Sequence, residues 1–276
     1  MRKSLFILIT AFFFVSIQKA NTQNEQVSYF DEQHIENGII WRQVHTRLFF
    51  DSWQFINLIE IEADVGWECT IAFTDEKKPT TALAIEHDAL LAINAGFFDV
   101  KNGGSVSYLK VDGEVVDSIS RSGRMIDGGA FVIAPGGDVL IDWSQQIEFY
   151  TDDRFYDDVL LSGPMLIKDG RIVQQDTSKP FVTHRHPRSC ACLDEEEDLW
   201  LITIDGRNEQ SAGMSLPELQ EYLATLNCLQ AINLDGGGST TMWIREKGVV
   251  NHPSDNKQFD SAGERAVANV ILVKRR

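Results

Sequence analysis

The stretch SLPELQEYLATLNCLQAINLDGGGSTTM, residues 215–242, decides how this sequence folds. Ser215 and Glu218 have the S-x-x-E spacing of a capping box, and Pro217 suits a first helical turn. Leu216, Leu219, Leu223 and Leu226 follow at three- and four-residue steps, as one apolar face of a helix does. Residues 229–234 then form a short apolar run of strand length. Next come Gly236, Gly237 and Gly238, set between Asp235 and the hydroxyls of Ser239, Thr240 and Thr241. Glycine adds no packing and costs chain entropy, so this position wants backbone rather than side chains. One reading is a concavity of N–H groups that binds an anion; the other is a tight turn at positive φ. A P-loop is excluded, because no Lys follows the glycines and the G-x-x-x-x-G-K-[ST] spacing is missing.

Outward from this stretch, strand-like runs dominate: 39–45, 56–63, 89–94, 107–111, 130–133, 139–141, 159–162, 165–168, 189–193, 199–204, 231–234 and 267–273. Asp112-Gly113, Gly136-Gly137, Asp169-Gly170 and Lys247-Gly248 read as hairpin turns. The other helical pattern lies near residues 80–87. The acidic run 194–198 reads as a solvated hairpin tip between two strands. The expectation is a strand-rich α+β fold with a mixed sheet, many hairpins and few helices, built as a single domain over residues 39–276. Residues 21–38 are polar and read as a loose lead-in.

The chain has 276 residues, 43% of them apolar, which is ample for one large core. Arg2 and Lys3 precede an apolar run over residues 5–17, a pattern of signal peptides and too short to span a bilayer comfortably. The expectation is cleavage near Ala20, giving an exported, periplasmic or secreted protein without an integral membrane segment in the mature chain. The net charge of −16 argues against nucleic acid and anionic membranes as partners. It also repels an anionic substrate unless cations are concentrated at one place. Cys190 and Cys192 are two residues apart and point the same way on a strand, so they do not bond each other. With Cys69 and Cys228, they read most simply as buried free thiols, although an exported protein could pair cysteines. Zinc ligand spacing is absent.

Four more stretches place polar groups at strand ends. ALLAINAGFFD offers Asn94 and Asp99; LSGPMLIKDG opens a hairpin; THRHPRS crowds His184, Arg185, His186 and Arg188; ITIDGR delivers Asp205 and Arg207. In this order, with GMSLPEL, NLDGGGSTTM and ERAVANV, they resemble the phosphodiester glycosidase family over residues 85–275. The two cysteines after the PR pair depart from the small or aliphatic residues expected there. The resemblance implies hydrolysis of a sugar-1-phosphodiester to free sugar and a phosphomonoester.

The residues are compatible with that chemistry. Glycoside hydrolysis passes through an oxocarbenium-like state and usually employs two carboxyls. A phosphate ester leaves as a stable anion and needs charge stabilisation more than protonation. Asp235 and Asp205 are the candidate carboxylates, one as base and one steadying the sugar cation. Arg188 is the candidate two-point phosphate ligand, and Asn94 a donor to sugar hydroxyls. Gly236, Gly237, Gly238, Ser239 and Thr240 are candidate neutral donors, with His186, Arg207 and Asp99 around them. Asp99, Arg207, Glu264 and Arg265 alternatively read as a structural ion-pair set. No cofactor is assigned, and oxygen ligands leave a divalent cation such as calcium open. Two rival readings keep the same pocket: a phosphodiesterase cleaving the P–O bond, and a non-catalytic glycan-binding protein.

Overall fold

The computed structural model describes residues 29–63, 65–118, 126–151 and 155–276. The expected signal peptide lies outside them. Among the described residues no helix is long and apolar enough to cross a membrane. Three sheets form the frame, and every named ladder in them is antiparallel rather than mixed. The largest runs in the order Tyr29–Glu36, Ile39–Thr46, Gln54–Ile61, Leu199–Ile204, Arg188–Leu193, Gln230–Asn233, Met165–Lys168 and Arg171–Ile172. A second holds Glu114–Asp117, Leu109–Val111, Asp158–Ser162, Gly129–Ile133 and Val139–Trp143. The third holds Gly248–Val249, Met242–Ile244, Leu91–Asn94, Ala266–Arg275 and Trp67–Pro79. All four dipeptide turns join paired strands as expected.

One apolar cluster unites the sheets: Ile59 and Ile232 from the first, Phe131 and Leu160 from the second, Ile93 and Ile271 from the third. Each such side chain is worth roughly 1.5–3 kcal/mol when fully buried. The helix Leu216–Ala224 starts on a complete capping box between Ser215 and Glu218 and buries Leu216, Leu219 and Leu223. Its Gln220 Nε2 donates to the carbonyls of Leu166 and Val173, fixing the helix on the first sheet.

Two expectations need correction. The lead-in is not loose from Tyr29 onward, because Tyr29–Glu36 pairs along Ile39–Thr46. Its polar composition suits an edge strand, held by its ladder to Ile39–Thr46, with Ile35 against the core and the Arg42–Glu32 ion pair beside it. The four cysteines are also not all free. Cys192 and Cys228 form a disulfide with Cα atoms 5.8 Å apart, while Cys69 and Cys190 stay buried as thiols. The register sets Gln230 opposite Leu193 and Ala231 opposite Cys192, which brings the return from the helix over Cys192.

The acidic tip stays a turn, and Asp194 caps it. Asp194 accepts from the N–H groups of Glu196 and Asp198 and from Trp200 Nε1.

The sheet order places the site. Arg188 lies opposite Ile204, and Cys190 opposite Asn233. The segments reaching Asp205, Arg188 and Asp235 therefore emerge on one edge of three adjacent strands. The glycine stretch then crosses from the first sheet to the third: Asp235 N–H donates to Ala95 O at 2.8 Å, and Asn94 N–H to Thr241 O at 3.2 Å.

Candidate active site

Asp235 stands at this seam. Its carboxylate accepts from Ser239 and from the Gly236 N–H, with the Arg265 charge nearby. Burial outweighs those contacts and pushes its carboxyl up to about 6. Asn94 holds it from behind. Asn94 Nδ2 donates to Asp235 O at 2.6 Å, and Oδ1 accepts from Ser189 Oγ at 2.7 Å and Thr241 N–H at 3.1 Å. Asn94 is 1% exposed, and these contacts make it a lock for the loop.

The glycines form a tight turn, one of their two expected readings. The Gly236 N–H is turned to Asp235, and Gly237 N–H donates to Pro187 O at 2.9 Å. Ser239 and Thr240 N–H groups close the turn onto Gly236 O and Gly237 O. The Gly236, Gly237, Ser239 and Thr240 amides are thus engaged within the protein. What approaches the loop is side chains and neighbouring backbone. A Cβ at Gly236 would stand 2.7 Å from Pro187 O, and one at Gly237 2.9 Å from Arg207 Nη2. One at Gly238 would collide with Asp255 Oδ1 and Arg265 Nη2. Gly237 also has φ +64°, so both the close-approach and the positive-φ explanations hold there.

Arg207 and Arg265 therefore flank the loop. Arg207 is exposed and touches Ser254 Oγ at 3.4 Å. Arg265 clasps Asp255 through Nε at 2.7 Å and Nη2 at 2.8 Å, leaving Nη1 3.4 Å from Ser239 Oγ. This places cations where a strongly acidic chain must concentrate them to hold an anion. His186 borders the same cluster. Burial, then the charges of Arg188, Arg207 and His184, push its imidazole down to about 4, so it is neutral near pH 7.

Other expected residues sit differently. Arg188 is 1% exposed. Its Nε donates to Met214 O at 2.9 Å, and its Nη2 to Phe181 O at 2.8 Å and His184 O at 3.2 Å. Those donors are used on backbone, and its guanidinium lies 5.0 Å from the Phe181 ring. Arg188 therefore pins the loops beneath the site. Burial pushes its guanidinium down to about 10. Asp99 closes its own turn, accepting from the Lys101 and Asn102 N–H groups. Glu264 accepts from Thr81 N–H at 2.7 Å, at the start of the helix Thr80–Glu86. Of the expected set, Arg207 and Arg265 stay together at the loop, while Asp99 and Glu264 hold backbone elsewhere. Thr240 offers its carbonyl to Asn251 Nδ2 at 3.0 Å.

Asp205 is 1% exposed and committed inward: it accepts from Asn251 Nδ2 at 3.0 Å and His252 N–H at 2.8 Å, and lies 2.8 Å from His252 Nδ1. Burial raises its carboxyl despite these bonds. His252 and Asp255 are site residues that sequence reasoning missed. They lie between two of the recognised motifs, in a loop with no periodicity to mark it. Among the described residues, three possible metal ligands converge only at Glu60, Asp194 and Asp198. Those acids hold Arg42, the acidic tip and Ala63 N–H, away from the glycine loop.

A family model for phosphodiester glycosidases matches residues 87–274. The chain belongs to the phosphodiester glycosidase family. It is 29% identical over 204 residues to the N-acetylglucosamine-1-phosphodiester alpha-N-acetylglucosaminidase of Mus musculus, covering 69% of this chain and 38% of that one. The Homo sapiens protein of the same name is 28% identical over 200 residues, with 67% and 38% covered. The chain thus spans little more than a third of the length of those relatives. The structure of the zebrafish catalytic domain of that name, auto-inhibited by its pro-peptide, superposes with a TM-score of 0.70 at 21% identity. It covers 94% of this chain and 87% of its own, and so shares the fold.

Proposed function

We propose that this phosphodiester glycosidase hydrolyses a sugar-1-phosphodiester at the glycosyl–phosphate bond. The observation that carries the reading is a carboxylate with raised pKa, Asp235, facing a loop flanked by Arg207 and Arg265. In the reaction, the bond between C1 and the bridging oxygen breaks with its electron pair passing to the phosphate. Water bonds to C1 and gives up one proton. Arg207 and the free edge of Arg265 balance the growing phosphate charge. Asp235 balances the cationic sugar. N-acetylglucosamine is the first sugar to try, since the related mouse and human enzymes are named for it. The Cys192–Cys228 disulfide supports export to an oxidising compartment, periplasmic or extracellular.

The test is purified protein against a panel of sugar-1-phosphodiesters in solvent enriched in oxygen-18, with free sugar as readout. Label in the sugar supports this reading. Label in the phosphate means P–O cleavage by a phosphodiesterase. Saturable binding without turnover means a glycan-binding protein.

A further inference from the structure

We propose that His252, held by Asp205, is the general base that deprotonates the attacking water. This inference rests on the glycosidase reading of the site. Asp205 already accepts from the His252 N–H and from Asn251 Nδ2, and its Oδ2 stands 2.8 Å from His252 Nδ1. A buried carboxylate in that position takes the Nδ1 proton as a hydrogen bond and leaves Nε2 with its lone pair. The same contact steadies the imidazolium once a proton arrives, the role of the carboxylate in hydrolase triads.

The ring is fixed rather than free. Phe259 stacks on it at 3.7 Å and 14°, and Phe55 meets it edge-on at 4.4 Å and 75°. It keeps 21% of its side-chain surface exposed. Its segment also runs along the glycine loop. Asn251 Nδ2 donates to Thr240 O, Ser254 Oγ touches Arg207, and Asp255 is clasped by Arg265. The segment that carries His252 thus touches both arginines flanking the loop, Arg207 through Ser254 and Arg265 through Asp255. The titratable groups around the ring are Asp205, Asp260 in its own loop, Arg207 beyond Ser254, and His45 behind Phe259 at 6.2 Å.

The step balances. Nε2 takes one proton from water, the water oxygen bonds to C1, and the C1–O bond breaks toward phosphate. The phosphomonoester leaves as the dianion, and the imidazolium returns its proton to solvent. This role is one that Asp205 cannot fill from its buried position. His252 is the catalytic residue here, and Asp205 a positioning residue acting through it.

Three measurements test the pair. His252→Ala should lower kcat on the order of 10²–10⁴-fold, the range of a general-base contribution, with KM changed less than about threefold. Added imidazole should restore part of the rate. Asp205→Asn, which keeps size, should lower kcat and reshape the pH–rate profile while a phosphomonoester still binds. Nitrogen-15 spectra of the histidines in the wild-type protein should show His252 protonated on Nδ1 and not on Nε2. Wild-type turnover that survives His252→Ala within threefold overturns the dyad and leaves the glycosidase reading standing. An Nε2-protonated ring overturns the dyad even if the variants fail to fold. Absence of sugar release by wild-type protein from every panel member overturns the glycosidase reading, and the general base falls with it.

Discussion

Asp235 is the residue on which turnover and stability pull in opposite directions. Its folded pKa of about 6 exceeds the unfolded value near 3.9. The folded state therefore binds more protons between roughly pH 4 and 6, and stability falls as pH rises through that window. The loss amounts to at most about 3 kcal/mol, at 1.36 kcal/mol per unit. Asp235→Asn removes that ionisation while keeping size. It should melt higher than wild type at pH 7.5 and turn over at least about 10²-fold more slowly, as for a lost charge in a transition state. Melting curves and kcat on one preparation check both halves, and wild-type activity should rise from pH 5 to pH 7. Arg188→Lys makes the opposite pattern. An ammonium cannot span carbonyls on two segments as the guanidinium does. The variant should lose about 2–4 kcal/mol in urea unfolding, in keeping with charged hydrogen bonds of about 1.5–3 kcal/mol each. Normal stability with lost turnover would return Arg188 to the phosphate.

At the scale of elements, the glycine loop and the helix return each carry a clear prediction. Gly238→Ala drives a methyl group into the Asp255–Arg265 clasp. Overpacking of that kind costs about 1–3 kcal/mol, and the displaced Arg265 should raise KM for phosphodiesters. A melting shift without a KM change would show that Arg265 does not touch substrate. The Cys192–Cys228 bond closes a segment with a sequence separation of 36. Loop-closure entropy makes such a bond worth on the order of 3–4 kcal/mol. Cys228→Ser should lose that much in denaturant midpoint analysis, with kcat of the folded fraction unchanged, since the bond ties the strand Arg188–Leu193 to the loop after the helix. The cap on that helix shows how an element reaches the site: Glu218 also holds Arg185 through Nε at 2.9 Å, anchoring the loop that carries His186.

For the whole molecule, a net charge of −16 governs what approaches it. Duplex DNA should show no retention in fluorescence anisotropy at about 0.15 M salt, where screening over roughly 8 Å already limits any local basic patch. Saturable DNA binding would mean that the cationic cluster around Arg207 reaches farther than the loop. The sequence alone determined the elements and their chemistry. The Ser215–Glu218 box fixed a helix start, the four dipeptide turns fixed hairpins, and the motif order pointed to the family, because caps, turns and strand ends are written in neighbouring residues. It overlooked the edge strand Tyr29–Glu36, which is held by its ladder to Ile39–Thr46. It also ranked the carboxylates and arginines by residue type. The tertiary structure reassigned them by burial and partners. Arg188 and Asn94 face inward as locks, Asp205 is consumed by His252, and Arg207 and Arg265 take the open side of the loop. A disulfide across 36 positions and an Asp–His pair across 47 positions exist only after the sheets pair. Which polar atoms remain free for a ligand is decided by all the neighbours that the fold brings, and those neighbours are distant in the chain.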